Sequence, residues 1–282
     1  MLYFFLALLF SVGILLLFKV FEKYKVRNLS AIIIGYFVSA LLALSISYHN
    51  GKLTEIVGLN ALLAVILGIS FVIGFIFLSL STQQSGISIT SVASNISIII
   101  PVLVAALFYK EEIHSYHLIG LVLSIPAIYL FFKPSKSANF SFHSLLFPII
   151  LFFISGINNS LMRQAEKIGA MQSPMFFLGL IFLISLLVSA FYGFLIKKIK
   201  YFSKQELIMG LLLGSFNFAA TYYFLRCLSD FPSALFFPIY NLSFIGLSAF
   251  VGIFLFKEHF SKINYIGLLV AAISILLMNI PY

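Results

Sequence analysis

Apolar residues fill ten long stretches of the chain, at roughly 2–20, 29–48, 57–80, 86–109, 116–132, 144–163, 173–196, 206–227, 232–256 and 263–281. Each is near the length of about 20 residues that a helix needs to cross the hydrocarbon of a bilayer. The breaks between them are short and polar. Ser81-Thr82-Gln83-Gln84-Ser85-Gly86 parts the third run from the fourth, and Ser229-Asp230-Phe231-Pro232 parts the eighth from the ninth. In the second break Asp230 near a cap and Pro232 in a first turn predict a helix start. The first run lacks a basic leader and a small-residue cleavage site, so it is read as a span and not as a signal peptide.

Composition supports this pattern. Of 282 residues 62% are apolar and 9% charged, against about 45–50% and about 25% in soluble domains. Water could not solvate such a chain, because too little polar surface exists to cover it. The one cysteine, Cys227, excludes an internal disulfide and a cysteine-ligated metal. A net charge of +9 would suggest nucleic acid in a soluble protein. Here the basic residues lie between apolar runs, where they meet lipid headgroups and set topology, so no nucleic-acid partner is expected.

The chain also repeats itself. A shift of 147 positions sets Lys110-Glu111 on Lys257-Glu258, and Ile119-Gly120-Leu121 on Ile266-Gly267-Leu268. The same shift pairs Phe71, Phe77 and Leu78 with Phe218, Phe224 and Leu225. Near the start of each half a shift of 144 sets Ser11, Lys19, Glu22 and Lys23 on Ser155, Arg163, Glu166 and Lys167. The expected fold is an all-α integral membrane protein of ten transmembrane helices in two five-helix repeats, 1–137 and 138–282. Five is odd, so the second repeat enters the membrane inverted. Inverted repeats characterise secondary transporters with a substrate site near the midplane between the halves.

Residues 101–132, PVLVAALFYKEEIHSYHLIGLVLSIPAIYLFF, and the stretch from 238, PIYNLSFIGLSAFVGIFLFKEHFSKINYIGLLV, carry a proline, a long apolar helix, a polar pair and a helix opening Ile-Gly. In this they resemble the two signature regions of the drug/metabolite transporter superfamily, EamA-type branch. Lys-Glu stands where that branch commonly has Gly-Glu. The resemblance implies ten helices in two inverted repeats, cytoplasmic termini, and movement of small metabolites such as amino acids, nucleosides or xenobiotics.

Charge points the other way on orientation. Odd-numbered connections hold Lys19, Lys23, Lys25, Arg27, Lys133, Lys136, Lys197, Lys198, Lys200, Lys204, Lys257 and Lys262. Even-numbered ones hold only Lys52, Lys110, Arg163, Lys167 and Arg226. The positive-inside rule places the odd connections in the cytoplasm. The two arguments conflict, and the orientation stays open at the level of sequence.

Polar groups inside hydrocarbon are expensive and tend to face a cavity or a neighbouring helix. In the sixth run Ser155, Asn159, Arg163 and Glu166 share one helical face, with Asn158 beside it. Cavity lining and interhelical hydrogen bonding both fit the asparagines. In the fourth run Ser88, Thr90, Ser91, Ser94 and Ser97 can bond back to their own helix, whereas Asn95 is read as harder to satisfy. Its repeat mate carries Tyr240 and Asn241, Ser94 aligns with Asn241, and Pro238 is expected to loosen that helix and free carbonyls. The eighth run adds Asn217 and Thr221 four residues apart. Candidate substrate contacts are therefore Ser94, Asn95, Asn158, Asn159, Asn217, Thr221, Tyr240 and Asn241, with Lys19 and Arg163 as charge contacts. Gly120-xxx-Ser124 and Gly267-xxx-Ala271 read as close-packing motifs.

All eight acids lie near run boundaries, which disfavours coupling through a midplane carboxylate and favours a neutral or zwitterionic solute. The expectation is a multi-pass transporter of the bacterial inner membrane. Its partners are a small solute and membrane lipid, with no cofactor and no metal, and a monomer suffices. A lipid or polyprenyl-phosphate translocase is the alternative, with Lys19 and Arg163 on the phosphate. A membrane enzyme fits less well: Glu111, Glu112, His114 and His117 lack the H-E-x-x-H spacing that sets two imidazoles on one face.

Overall fold

The computed structural model describes residues 2–51, 58–109, 114–132, 142–196, 201–230, 233–258 and 261–278. Among these the only regular structure is helical: α1 (Leu2–Lys23), α2 (Asn28–His49), α3 (Leu59–Ser85), α4 (Ile87–Ile96), α5 (Ile99–Tyr109), α6 (Ser115–Phe132), α7 (Phe142–Lys167), α8 (Pro174–Leu195), α9 (Lys204–Asp230), α10 (Ser233–Phe256) and α11 (Lys262–Met278), with a 3₁₀ turn at Ala170–Gln172. Eight segments are long and apolar enough to cross a membrane, and Ser115–Ala127 and Lys262–Met278 are shorter apolar helices. Large apolar side chains such as Leu107, Phe194 and Phe254 are exposed. In water such a surface would aggregate, and in lipid it is the ordinary exterior. The chain is a multi-pass membrane protein.

The helices fall on the expected runs, with three differences. The fourth run is broken into α4 and α5. Pro101 has no N–H for the carbonyl of Ser97, which accepts instead from Ile100 N–H at 3.0 Å, while Ile98 N–H turns back to Asn95 O at 3.3 Å. By contrast α10 runs unbroken through Pro238, so the loosening expected there occurs at Pro101. Asp230, read as lying near the cap of the helix in the ninth run, is the last residue of α9; Pro232 lies outside the described residues.

The chain forms two compact units, each drawing on both halves of the sequence. Unit 1 comprises residues 1–79 and 161–224, and unit 2 comprises 80–160 and 225–282. The repeat boundary at 137/138 lies outside the described residues.

Unit 1 is held by close backbone approaches. A methyl group on Gly214 of α9 would collide with the carbonyl and Cα of Gly35 on α2, and one on Gly210 would meet Ile34 and the Ala31 carbonyl. Ser39 Oγ donates to Gly214 O at 3.0 Å across this contact. On α3 and α8 the arrangement recurs. Gly68 lies against Ile184 and the carbonyl of Ile181, and Ser185 Oγ donates to Gly68 O at 2.9 Å. Small residues four apart let helices come this close. Between α1 and α9 runs an aromatic seam: Tyr3 stacks on Tyr223 at 5.8 Å, Phe10 on Tyr223 at 6.0 Å, and Phe10 meets Phe216 edge-on at 5.1 Å. Gly13 leaves the room that Phe216 occupies.

The helix ends of unit 1 are tied locally. Lys25 adopts φ 51°, and Val26 N–H reaches back to Phe21 O at 3.0 Å, closing α1 in the manner usually given to glycine. Ser203 and Glu206 form a reciprocal capping box on α9: Glu206 N–H donates to Ser203 Oγ at 3.2 Å and Ser203 N–H to Glu206 Oε2 at 2.9 Å. Arg27, just before α2, donates to Glu206 Oε2 at 2.9 Å and to Tyr201 O at 2.7 Å.

In unit 2, α6 packs against α11 and α4 against α10. Gly120 lies on Ser274, Leu277 and Met278, and Ser274 Oγ donates to Gly120 O at 2.7 Å. Gly267 and Ala271 are buried, as the close-packing motifs require. Val92, Ile96, Ala127, Ala271 and Ile275 form the apolar centre of this unit.

Candidate functional site

Polar chemistry in unit 2 begins at the polar pair after α10. Lys257 takes φ 53°, and this left-handed turn directs Glu258 back over Gly252, whose carbonyl accepts from Glu258 N–H at 3.0 Å. The Glu258 carboxylate receives Ile87 N–H at 2.6 Å, Ser88 N–H at 3.2 Å and Ser88 Oγ at 2.5 Å. These are the free donors at the start of α4, where a carboxylate also meets the positive end of the helix dipole. Gly86 and Gly252 both lack the Cβ that would strike this carboxylate, and Gly86 has φ 99°. The acidic member of the Lys-Glu pair is thus a cap on a helix some 170 residues away in sequence.

The hydroxyls of α4 are spent on its own backbone. Thr90 bonds Gly86 O at 2.7 Å, Ser91 bonds Ser88 O at 2.8 Å and Ser94 bonds Ser91 O at 3.0 Å. Asn95 does the same, its Nδ2 donating to Ser91 O at 2.7 Å. The expectation that Asn95 is harder to satisfy is corrected for one donor: the amide reaches back one turn as a serine does, and one of its two N–H groups is used there.

On α7 the two asparagines part company. Asn159, on the face with Ser155, Arg163 and Glu166, is exposed. The buried residues of α7 are Pro148, Leu151, Gly156 and Ala165, of which Leu151 and Ala165 keep a spacing of seven with Asn158. Asn158 is half-buried, and its Oδ1 is enclosed without a hydrogen-bond partner. An enclosed unpaired amide oxygen is costly, and this acceptor is the sharpest polar feature among the candidates.

Unit 1 holds Asn217 and Thr221 on α9. Asn217 is buried, its Nδ2 donating to Ser39 Oγ at 3.1 Å, beside the Ser39–Gly214 contact. Thr221 Oγ1 bonds Asn217 O at 2.9 Å. Asn217 ties α9 to α2, and Thr221 bonds within α9. Lys19 Nζ pairs with Glu22 at 2.8 Å, and Arg163 is half-buried on the last stretch of α7. In unit 2 Tyr240 is buried with its ring tilted against Phe236 at 5.4 Å and stacked on Phe244 at 6.5 Å; Asn241 beside it is half-buried.

Of the eight neutral candidates, Ser94, Asn95, Asn158, Asn159, Tyr240 and Asn241 fall in unit 2, and Asn217 and Thr221 in unit 1. Sequence reasoning missed Glu258 as a cap, and it missed Gly35-xxx-Ser39 and Gly210-xxx-Gly214, whose spacing is the same small-residue signal read at Gly120. Among the described residues no group of three or more His, Cys, Asp or Glu comes together; Glu111 and Glu112 lie outside them.

No family model matches the chain. It is 26% identical over 272 residues to an uncharacterized protein of Haemophilus influenzae, spanning 93% of this chain and 92% of that relative. A protein of known crystal structure, 12% identical, superposes with a TM-score of 0.64 over 96% of this chain and 97% of its own. Identity that low speaks to the fold alone.

Proposed function

We propose that the chain is a secondary transporter of a small neutral or zwitterionic metabolite, working by alternating access in the bacterial inner membrane. The observation that carries this reading is a reciprocal pair of contacts in unit 1. Ser39 bonds the carbonyl of Gly214, and Ser185 bonds that of Gly68. Both partners shift by the same 146 positions, and the roles of first and second half exchange. A two-fold relation between halves produces this exchange, because residue i then meets j′ where i′ meets j. It supports ten spans in two inverted five-helix repeats of the drug/metabolite transporter type, an architecture in which solutes cross between the repeats.

Asn158 Oδ1 is the group assigned to the solute, as an enclosed acceptor for an amide or ammonium donor. The translocase alternative draws less support, since Lys19 is engaged by Glu22 and its charge is compensated.

Purified protein is screened in detergent against amino acids, nucleosides and sugars, and hits are tested for counterflow in proteoliposomes. A ligand that binds the native state raises its stability, by about 2.7 kcal/mol at a hundredfold excess over Kd. Counterflow of a stabilising solute, lost in Asn158→Ala, is expected. Movement of labelled lipid without solute counterflow would overturn the proposal.

A further inference from the structure

Unit 1 has two unlike ends. At one, the approach to α2 and the approach to α9 are joined: Arg27 reaches Glu206 and the Tyr201 carbonyl, and its guanidinium lies 5.9 Å from the Tyr201 ring. Lys23, Tyr24, Lys25, Arg27, Tyr201, Phe202 and Lys204 are all exposed there. At the other end the start of α1 meets the second half of α9, Tyr3 stacking on Tyr223 at 5.8 Å, and Tyr48 lies in the last turn of α2.

Among the described residues, five of the seven Lys and Arg of unit 1 belong to the Arg27 end, namely Lys19, Lys23, Lys25, Arg27 and Lys204, against two acids, Glu22 and Glu206. The other two, Arg163 and Lys167, lie with Glu166 at the end of α7, which leads into α8, where Gly179 meets Leu44 in the second half of α2. The excess does not rest on charges that cancel one another: Glu206 takes up Arg27 and Glu22 takes up Lys19, which leaves Lys23, Lys25 and Lys204 at that end.

We propose that the Arg27 end of unit 1 faces the cytoplasm, its basic side chains set among the anionic phospholipid headgroups of the inner leaflet, and that the Tyr48 end faces outward. Retention of basic connections on the cytoplasmic side and attraction to anionic headgroups act in the same direction. This orientation is the reverse of the one the family resemblance implies. It does not depend on the transport reading, and its test uses no solute.

The native Cys227 is the one thiol of the chain and is buried, so Cys227→Ser supplies a clean background. Tyr24→Cys reports the basic end and leaves every charge in place; Tyr48→Cys and Asn50→Cys report the other. All three positions are exposed, Tyr24 by 49% and Tyr48 by 75%. Intact cells are treated with a membrane-impermeant maleimide, then permeabilised and treated again, with labelling in detergent as the reference for each thiol. Tyr48→Cys and Asn50→Cys are expected to label in intact cells, and Tyr24→Cys only after permeabilisation. Labelling of Tyr24→Cys in intact cells, alone or alongside the other two, would overturn the proposal.

Discussion

Ser39 on α2 gives its hydroxyl proton to the carbonyl of Gly214 on α9 at 3.0 Å. The bond forms only because Gly214 lets the two backbones touch. A Cβ there would meet the Gly35 carbonyl and Cα, and backbone cannot swing aside as a side chain can. Gly214→Ala is expected to lower the melting temperature in detergent, with a cost of about 1–3 kcal/mol from overpacking. Gly246, in α10, has nothing within 4 Å of its notional Cβ. Gly246→Ala is expected to be neutral or to raise stability by about 0.5–1 kcal/mol through helix propensity. Equal effects of the two substitutions on unfolding would refute the backbone contact.

Glu258 caps α4 through three donors, two of them on Ser88. Glu258→Ala is expected to destabilise by about 1–2 kcal/mol, the range of a lost cap with its dipole contribution. Ser88→Ala removes one donor and is expected to cost less. The double variant should be milder than the sum of the two, because both substitutions remove one shared bond. Strict additivity across that cycle, read by thermal unfolding, would mean that the carboxylate and the hydroxyl do not interact.

The asparagines separate structure from ligand. Asn217 ties α9 to Ser39, so Asn217→Ala is expected to lower the stability of the protein without solute, by about 1 kcal/mol. Asn158 has an enclosed Oδ1 with no partner. Asn158→Ala is expected to leave solute-free stability unchanged or slightly raised, while abolishing the thermal shift given by a stabilising solute. A large loss of solute-free stability in Asn158→Ala would assign that amide to the scaffold.

Lys25 closes α1 with a positive φ of 51°, where a side chain crowds the backbone and glycine does not. Lys25→Gly is expected to raise the melting temperature, and Lys25→Val, β-branched, to lower it. The order of the three residues at this position is the measurement, and a valine variant at least as stable as the glycine variant would contradict the left-handed cap.

Much of the scaffold could be read from sequence because its causes are local. Long apolar runs made helices at their expected places, and Gly120 met α11 through the small-residue spacing that announced it. The α4 hydroxyls returned to their own backbone, as serine and threonine can anywhere in a helix. Asn95, read as harder to satisfy, followed them with one N–H of its amide. The break in the fourth run was also a local matter, and Pro101, three residues into α5, was its visible cause.

What sequence alone determined is membrane residence, the helical segments and the repeat of polar pairs at their ends. These follow from side-chain hydropathy and from periodicities that act within a turn or two. Tertiary structure decided which polar groups are spent and which remain. Asn158 and Asn159 are neighbours in sequence, yet one turns inward with an unpaired oxygen and the other outward, because successive helical positions point about 100° apart. Glu258 at a helix end could have been a solvated charge; it became a cap because α10 and α4 lie together. A hydrogen-bond partner more than a hundred residues away is fixed by how helices pack, and no local pattern carries that information.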